Sequence, residues 1–171
     1  MHDLSIEPAK PEEKALLFRL LQLYFFDSTR WSGEDVQEDG SYECDEDGLT
    51  NYFDSHSGSR AYILRVDGKP AGFALVEAVP FEGKEVSEFA DLFVLPKYRR
   101  LGLASAATTQ IVINSESPWL FAIFRSDGEA LRYWKSSFKR LPFRGVRAAD
   151  SAKDDRFHLF VVNEFTVQRD A

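Results

Sequence analysis

Short apolar runs with a two-residue period alternate with longer stretches of helical spacing, which predicts a mixed sheet with helices between its strands. Leu4, Ser5 and Ile6 form a brief alternating strand, closed by the prolines at 8 and 11. Pro11, Glu12 and Glu13 suit a first helical turn, after which Ala15, Leu16, Leu17, Leu20, Leu21, Leu23 and Tyr24 share one broad face. The aromatic end of that helix, Tyr24-Phe25-Phe26, is read as core filling, with a ligand groove as the alternative. Residues 49–53 predict a short helix. Residues 61–66 and 71–76 are β-rich, and the Asp67-Gly68 step between them predicts an antiparallel hairpin. A third run, 86–94, follows a turn at Glu82-Gly83-Lys84.

Beyond residue 94 the pattern predicts a helix from 102 to about 114 and a buried strand at 120–124. Asp127 is placed as the N-cap of a helix that carries Ala130, Leu131, Tyr133, Trp134 and Phe138 and ends near Lys139. Phe143 and Val146 belong to a further strand, and 157–162 reads as the last, preceded by a turn at Asp154-Asp155. The expected fold is α/β in the α+β sense, a mostly antiparallel mixed sheet of six or seven strands flanked by helices. One domain over 1–171, without internal repeats, accounts for the length.

Composition narrows the partners. Fifteen phenylalanines point to a bulky aromatic core. A net charge of -7 argues against sequence-independent nucleic-acid binding and suits a cationic substrate. The acids Glu34, Asp35, Glu38, Asp39, Glu43, Asp45, Glu46 and Asp47 form a stretch without lysine or arginine. It is read as a solvated loop, with a substrate-attracting surface as the alternative. Its spacing does not suit a calcium loop, and no metal is expected. The single cysteine, Cys44, excludes an internal disulfide and a cysteine-rich zinc site. With no signal-like N-terminus and no apolar run of membrane-spanning length, the expectation is a cytoplasmic protein without a membrane partner.

The candidate chemistry centres on residues 89–113, FADLFVLPKYRRLGLASAATTQIVI. An apolar strand ends at Pro96, and Arg99, Arg100, Leu101, Gly102, Leu103, Ala104 and Ser105 lead into a helix. A helix mouth offers unpaired amide groups and about half a positive charge, so it favours an anion. Gly102 and Ala104 let a diphosphate approach the backbone. The bland alternative is an ordinary strand-to-helix turn.

This motif and the order of elements resemble the GCN5-related N-acetyltransferase superfamily over nearly the whole chain. Within it, YFFDST, KPAGFALVE, DLFVLPKYRRLG and EALRYWK resemble a group of poorly characterised acetyltransferases. The resemblance implies acetyl-CoA as acyl donor, with its pyrophosphate on the loop at Arg99, Gly102 and Ala104. It also implies a pantetheine arm beside Leu92, Phe93 and Val94, where this strand splays from 120–124. A general base is implied eleven residues before Arg99, at Glu88. Asp91 is the second candidate, and regular strand alternation puts the two on opposite faces. Asp127 stands where the family commonly has asparagine, and Trp134 where it has the tyrosine that protonates the thiolate. Indole cannot serve as that acid, so Trp134 is expected along the cofactor or in the core, and Tyr133 is the substitute. The implied function is acetyl transfer to a primary amine, of a small molecule or a peptide, by direct attack. An acyl-CoA-binding sensor is the competing reading, and a homodimer is left open.

Overall fold

Two tight turns initiate the sheet. Asp67 and Gly68 take left-handed backbone angles (φ 50° and 73°), as do Glu82 and Gly83 (φ 47° and 76°), the geometry that matches the twist of paired strands. These turns join β2 (Arg60–Val66), β3 (Lys69–Phe81) and β4 (Lys84–Val94) into an antiparallel meander, and β1 (Leu4–Pro8) adds to the outer side of β2. β5 (Trp119–Phe124) runs parallel to β4, whereas β6 (Val146–Ala149) and β7 (Phe157–Val162) extend the sheet antiparallel in the order β1-β2-β3-β4-β5-β7-β6. The computed structural model describes residues 1–150 and 155–164, so Asp154 of the expected last turn lies outside the described residues. Phe143, expected in a strand, instead packs edge-on against Phe121 and Phe138.

Helices cover both faces. A 3-10 turn, Pro11–Glu13, feeds α1 (Lys14–Ser32), which buries Leu17, Leu20 and Leu21 against Ile63, Phe73, Leu75 and Phe93. Tyr24 and Phe25 join that core, but Phe26 is 67% exposed, contrary to its assignment to the core or a groove. The opposite face is covered by α2 (Leu103–Thr108) and α3 (Gly128–Arg140), where Leu103, Ala107 and Trp134 meet Val76, Phe89 and Phe121. The helix expected to reach about residue 114 is α-helical only to Thr108 and π-helical over Thr109–Ile113. Thr108 sits at the change, its hydroxyl donating to the Ala104 carbonyl at 2.8 Å.

The sheet splits at its centre. Parallel pairing of β4 with β5 is confined to Ser87 with Trp119 and Glu88 with Leu120. Past Glu88 the strands part, leaving the edge of β4 toward Val94 open to the gap. β4 is also bulged: Leu75 pairs with Asp91 and Val76 with Phe89, so Ala90 is an extra residue. Nearby, a Cβ on Gly72 would lie 2.0 Å from the Phe93 carbonyl oxygen, so only glycine permits this approach of β3 to β4.

Candidate active site

The loop from β4 to α2 begins with a 3-10 turn, Pro96–Tyr98, and continues through left-handed residues Arg100 (φ 66°) and Gly102 (φ 84°). Such turns gather backbone amides into an anion-binding concavity, here continuous with the first turn of α2. The Arg99 side chain braces this loop: Nε donates to the Val94 carbonyl at 2.9 Å and Nη2 to Asp27 Oδ2 at 2.8 Å. Arg99 therefore lines the cleft with a guanidinium committed to the protein. Leu101 is exposed and is not among the residues lining the cleft.

A cleft of about 540 Å³ opens above this loop, between α1, the free end of β4 and α3. Of the sequence-predicted cofactor residues, Leu92, Phe93, Val94, Arg99, Arg100, Gly102, Leu103, Ala104, Ser105, Asp127 and Trp134 line it. Asp127 caps α3, accepting from the Ala130 amide at 2.9 Å. Trp134 belongs mainly to the core, its ring 4.7 Å from that of Phe121 and 5.9 Å from that of Phe89. Tyr133 also lines the cleft, and its buried hydroxyl has no hydrogen-bond partner among the described residues. A buried phenol needs such a partner, and a ligand in the cleft can supply it.

Several wall residues had no role assigned from the sequence, among them Tyr24, Ser28, Trp31 and Arg140. Tyr24, Ser28 and Trp31 come from α1, and Arg140 from the end of α3 donates to Ser105 Oγ at 3.3 Å. The sequence signal for the α1 residues was the aromatic end of the first helix and the YFFDST stretch that holds Tyr24 and Ser28. Arg140 carried none, because it meets the loop through tertiary folding.

The bulge at Ala90 overturns the expectation that Glu88 and Asp91 face opposite ways. Regular alternation would separate them, but the extra residue restores Asp91 to the face of its partner Leu75, while Glu88 lies opposite Glu77 on that same face. Three carboxyls, Glu77, Glu88 and Asp91, therefore gather on the α1 side. Burial, and then the charges of Glu77 and Asp91, push Glu88 up to about 7. Burial pushes Asp91 up to about 6, against the opposing effect of its interaction with the Tyr24 hydroxyl. Burial and the adjacent acids likewise drive the Tyr24 and Tyr52 phenols far up. The Tyr52 hydroxyl donates to Glu77 Oε1.

Neither Glu88 nor Asp91 forms the cleft wall itself; Tyr24, which does, stands next to Asp91. On the other side lies a cavity of about 780 Å³ between the 52–60 segment and the β3–β4 hairpin, with Tyr52 and Ser87 on its wall. The acid cluster reaches the cleft wall through Tyr24 and the wall of the larger cavity through Tyr52. Cys44 packs on the α1-side core, and burial followed by Asp45 and Glu46 raises its thiol, which makes it a poor nucleophile.

The model of the Acetyltransferase (GNAT) family matches residues 17–118, from the first turn of α1 to the residue before β5. The chain belongs to the GNAT acetyltransferase family. An acetyltransferase from Thermus thermophilus has a similar fold, with 16% identity, TM-score 0.67 and coverage of 94% of this chain and 98% of that one. NAA60 of Arabidopsis thaliana, in complex with a bisubstrate analogue, is 17% identical at TM-score 0.58, covering 94% and 98%. The PaiA N-acetyltransferase of Thermoplasma acidophilum, in complex with coenzyme A, is 11% identical at TM-score 0.63, covering 93% and 98%. No curated protein sequence matches this one. Family membership makes the chain an acyltransferase with acetyl-CoA as cosubstrate, a role that the amide-lined loop and the unpartnered Tyr133 hydroxyl fit. No helix among the described residues is long and apolar enough to cross a membrane.

Proposed function

We propose that the protein acetylates a primary amine by direct attack in a ternary complex, with Glu88 as general base and Tyr133 as general acid. The observation that carries this reading is the place of Glu88 at the last paired rung before β4 and β5 part, half-buried and brought to about 7. A carboxyl with that affinity is poised to take a proton near neutral pH and release it again.

In the proposed arrangement the amides of Leu103, Ala104 and Ser105 hold the diphosphate, with Arg100 and Arg140 adding charge. Leu92, Phe93 and Val94 present the unpaired edge of β4 to the pantetheine arm, and Asp127 and Trp134 border it from α3. Acetyl-CoA supplies a thioester carbonyl as the electrophile. Glu88 accepts a proton from the ammonium group, directly or through water, and frees the nitrogen lone pair. As the new C–N bond forms and the C–S bond breaks, Tyr133 donates its proton to the departing sulfur, and the surplus proton on the acylated nitrogen then passes through water to restore the phenol, leaving a neutral amide. The raised Cys44 thiol supports attack without an acyl-enzyme.

The acceptor enters through the cavity beside Tyr52 and meets the acids from the side opposite the cofactor. The net charge of -7 and the acidic 33–48 segment favour a cationic acceptor, a small polyamine or a lysine-bearing or N-terminal peptide amine. A panel of such amines, monitored by free-thiol release from acetyl-CoA, tests the reading. Turnover that weakens as salt is raised supports it. Tight coenzyme A binding with no thiol release across the panel would replace it with the sensor reading.

A further inference from the structure

Glu77 closes the KPAGFALVE stretch, which assigned it no role, yet it occupies the position facing Glu88. The two are cross-strand partners on β3 and β4, a placement in which side chains lie about 5 Å apart. Like charges directly opposite on a sheet are unfavourable, so this pairing requires a reason. The Tyr52 hydroxyl, from the 3-10 turn Gly48–Phe53, donates to Glu77 Oε1 and anchors that carboxyl, while the Tyr52 side chain lines the larger cavity.

We propose that Glu77, anchored by Tyr52, is a positioning residue that acts through Glu88 and keeps that carboxyl able to take and release a proton during acetyl transfer. This inference rests on the reading of Glu88 as base and extends it.

After burial itself, Glu77 acts on Glu88 more strongly than any other group. On β4 itself Asp91 acts on Glu88 more weakly than Glu77 does, and the β5 partner Leu120 is apolar. From α1, Tyr24 bears on Asp91, and Glu34 and Asp127 bear on Tyr24 in turn. From the turn Gly48–Phe53, Tyr52 holds Glu77, with Cys44 beside it. The charges acting on Glu88 are acidic, so removing the Glu77 charge makes deprotonation of Glu88 easier.

The test is a carboxyl-carbon NMR titration of the coenzyme A-bound protein with labelled glutamate, the Glu88 resonance being assigned by its loss in Glu88→Gln. The wild-type midpoint is expected near 7. Glu77→Gln preserves the acceptor oxygen for Tyr52 and removes the charge, and it should lower the midpoint by about one unit. Glu77→Asp, which keeps the charge, should restore most of the wild-type value. An unchanged midpoint in a Glu77→Gln protein that still binds coenzyme A overturns the inference, because a merely structural role predicts that result. The base reading fails separately: Glu88→Gln would then leave thiol release with the best amine of the panel undiminished, whatever the titration shows.

Discussion

At the scale of single residues, the two proposed proton carriers owe their properties to opposite circumstances. Glu88 is pushed up by burial among like charges, whereas Tyr133 is distinguished by a buried hydroxyl with nothing to bond among the described residues. Tyr133→Phe should reduce kcat by roughly 10²-fold while leaving coenzyme A affinity within a few-fold, as measured by steady-state kinetics and calorimetry. A loss confined to binding would assign Tyr133 to the wall alone. The raised carboxyls also bear on stability. Glu88 binds its proton more tightly in the fold than its ordinary 4.5, so the stability it contributes at low pH is lost as pH rises toward about 7. Glu88→Gln should therefore raise Tm by roughly 5 °C at pH 8 and change it little at pH 4, as followed by calorimetric unfolding. Candidates at this scale were legible where chemistry is local. Glu88 and Asp91 could be counted from the loop, but whether they share a face could not, because nothing in the sequence marks Ala90 as a bulge.

At the scale of elements, the junction of β4 with α2 is the part the sequence specifies most fully. A glycine that must be left-handed, a small residue in the first turn and a proline ending the strand are all chain-local requirements. Gly102→Val should weaken coenzyme A binding at least tenfold in calorimetry, since valine opposes a φ of 84° and projects a side chain at the cleft wall. Arg100→Ala should cost only a few-fold; the reverse ranking would mean that charge rather than backbone holds the anion. Arg99 shows where local reading stops: it was grouped with Arg100, yet it clamps α1 to the loop through Asp27. Gly72→Ala tests the sheet in the same way. With the Phe93 carbonyl 2.0 Å from the new Cβ, β3 and β4 must separate, and Tm should fall by more than about 5 °C in thermal unfolding.

At the scale of the whole molecule, function follows from a sheet that is closed on one side of Glu88 and open on the other. The cofactor cleft takes its walls from α1, β4, the loop and α3, and the larger cavity takes its own from the 52–60 segment and the β3–β4 hairpin. The acid cluster touches a wall residue of each, Asp91 interacting with Tyr24 of the cleft and Glu77 accepting from Tyr52 of the cavity. Hairpins and helices were readable from pattern because each depends on a few neighbouring residues. The convergence of Tyr24, Glu77, Arg140 and Tyr52 was not, because their meeting depends on register and packing between distant segments. The central claim, that Glu88 at the apex of the split is the base for acetyl transfer, is tested most directly by the pH dependence of kcat/KM in wild type and Glu88→Gln. The wild-type value should rise with pH through a midpoint near 7, as the carboxyl loses its proton. The variant should lose about 10²- to 10⁴-fold, and the limb itself, without losing coenzyme A affinity. A variant that keeps its activity and the same acid limb would contradict the account.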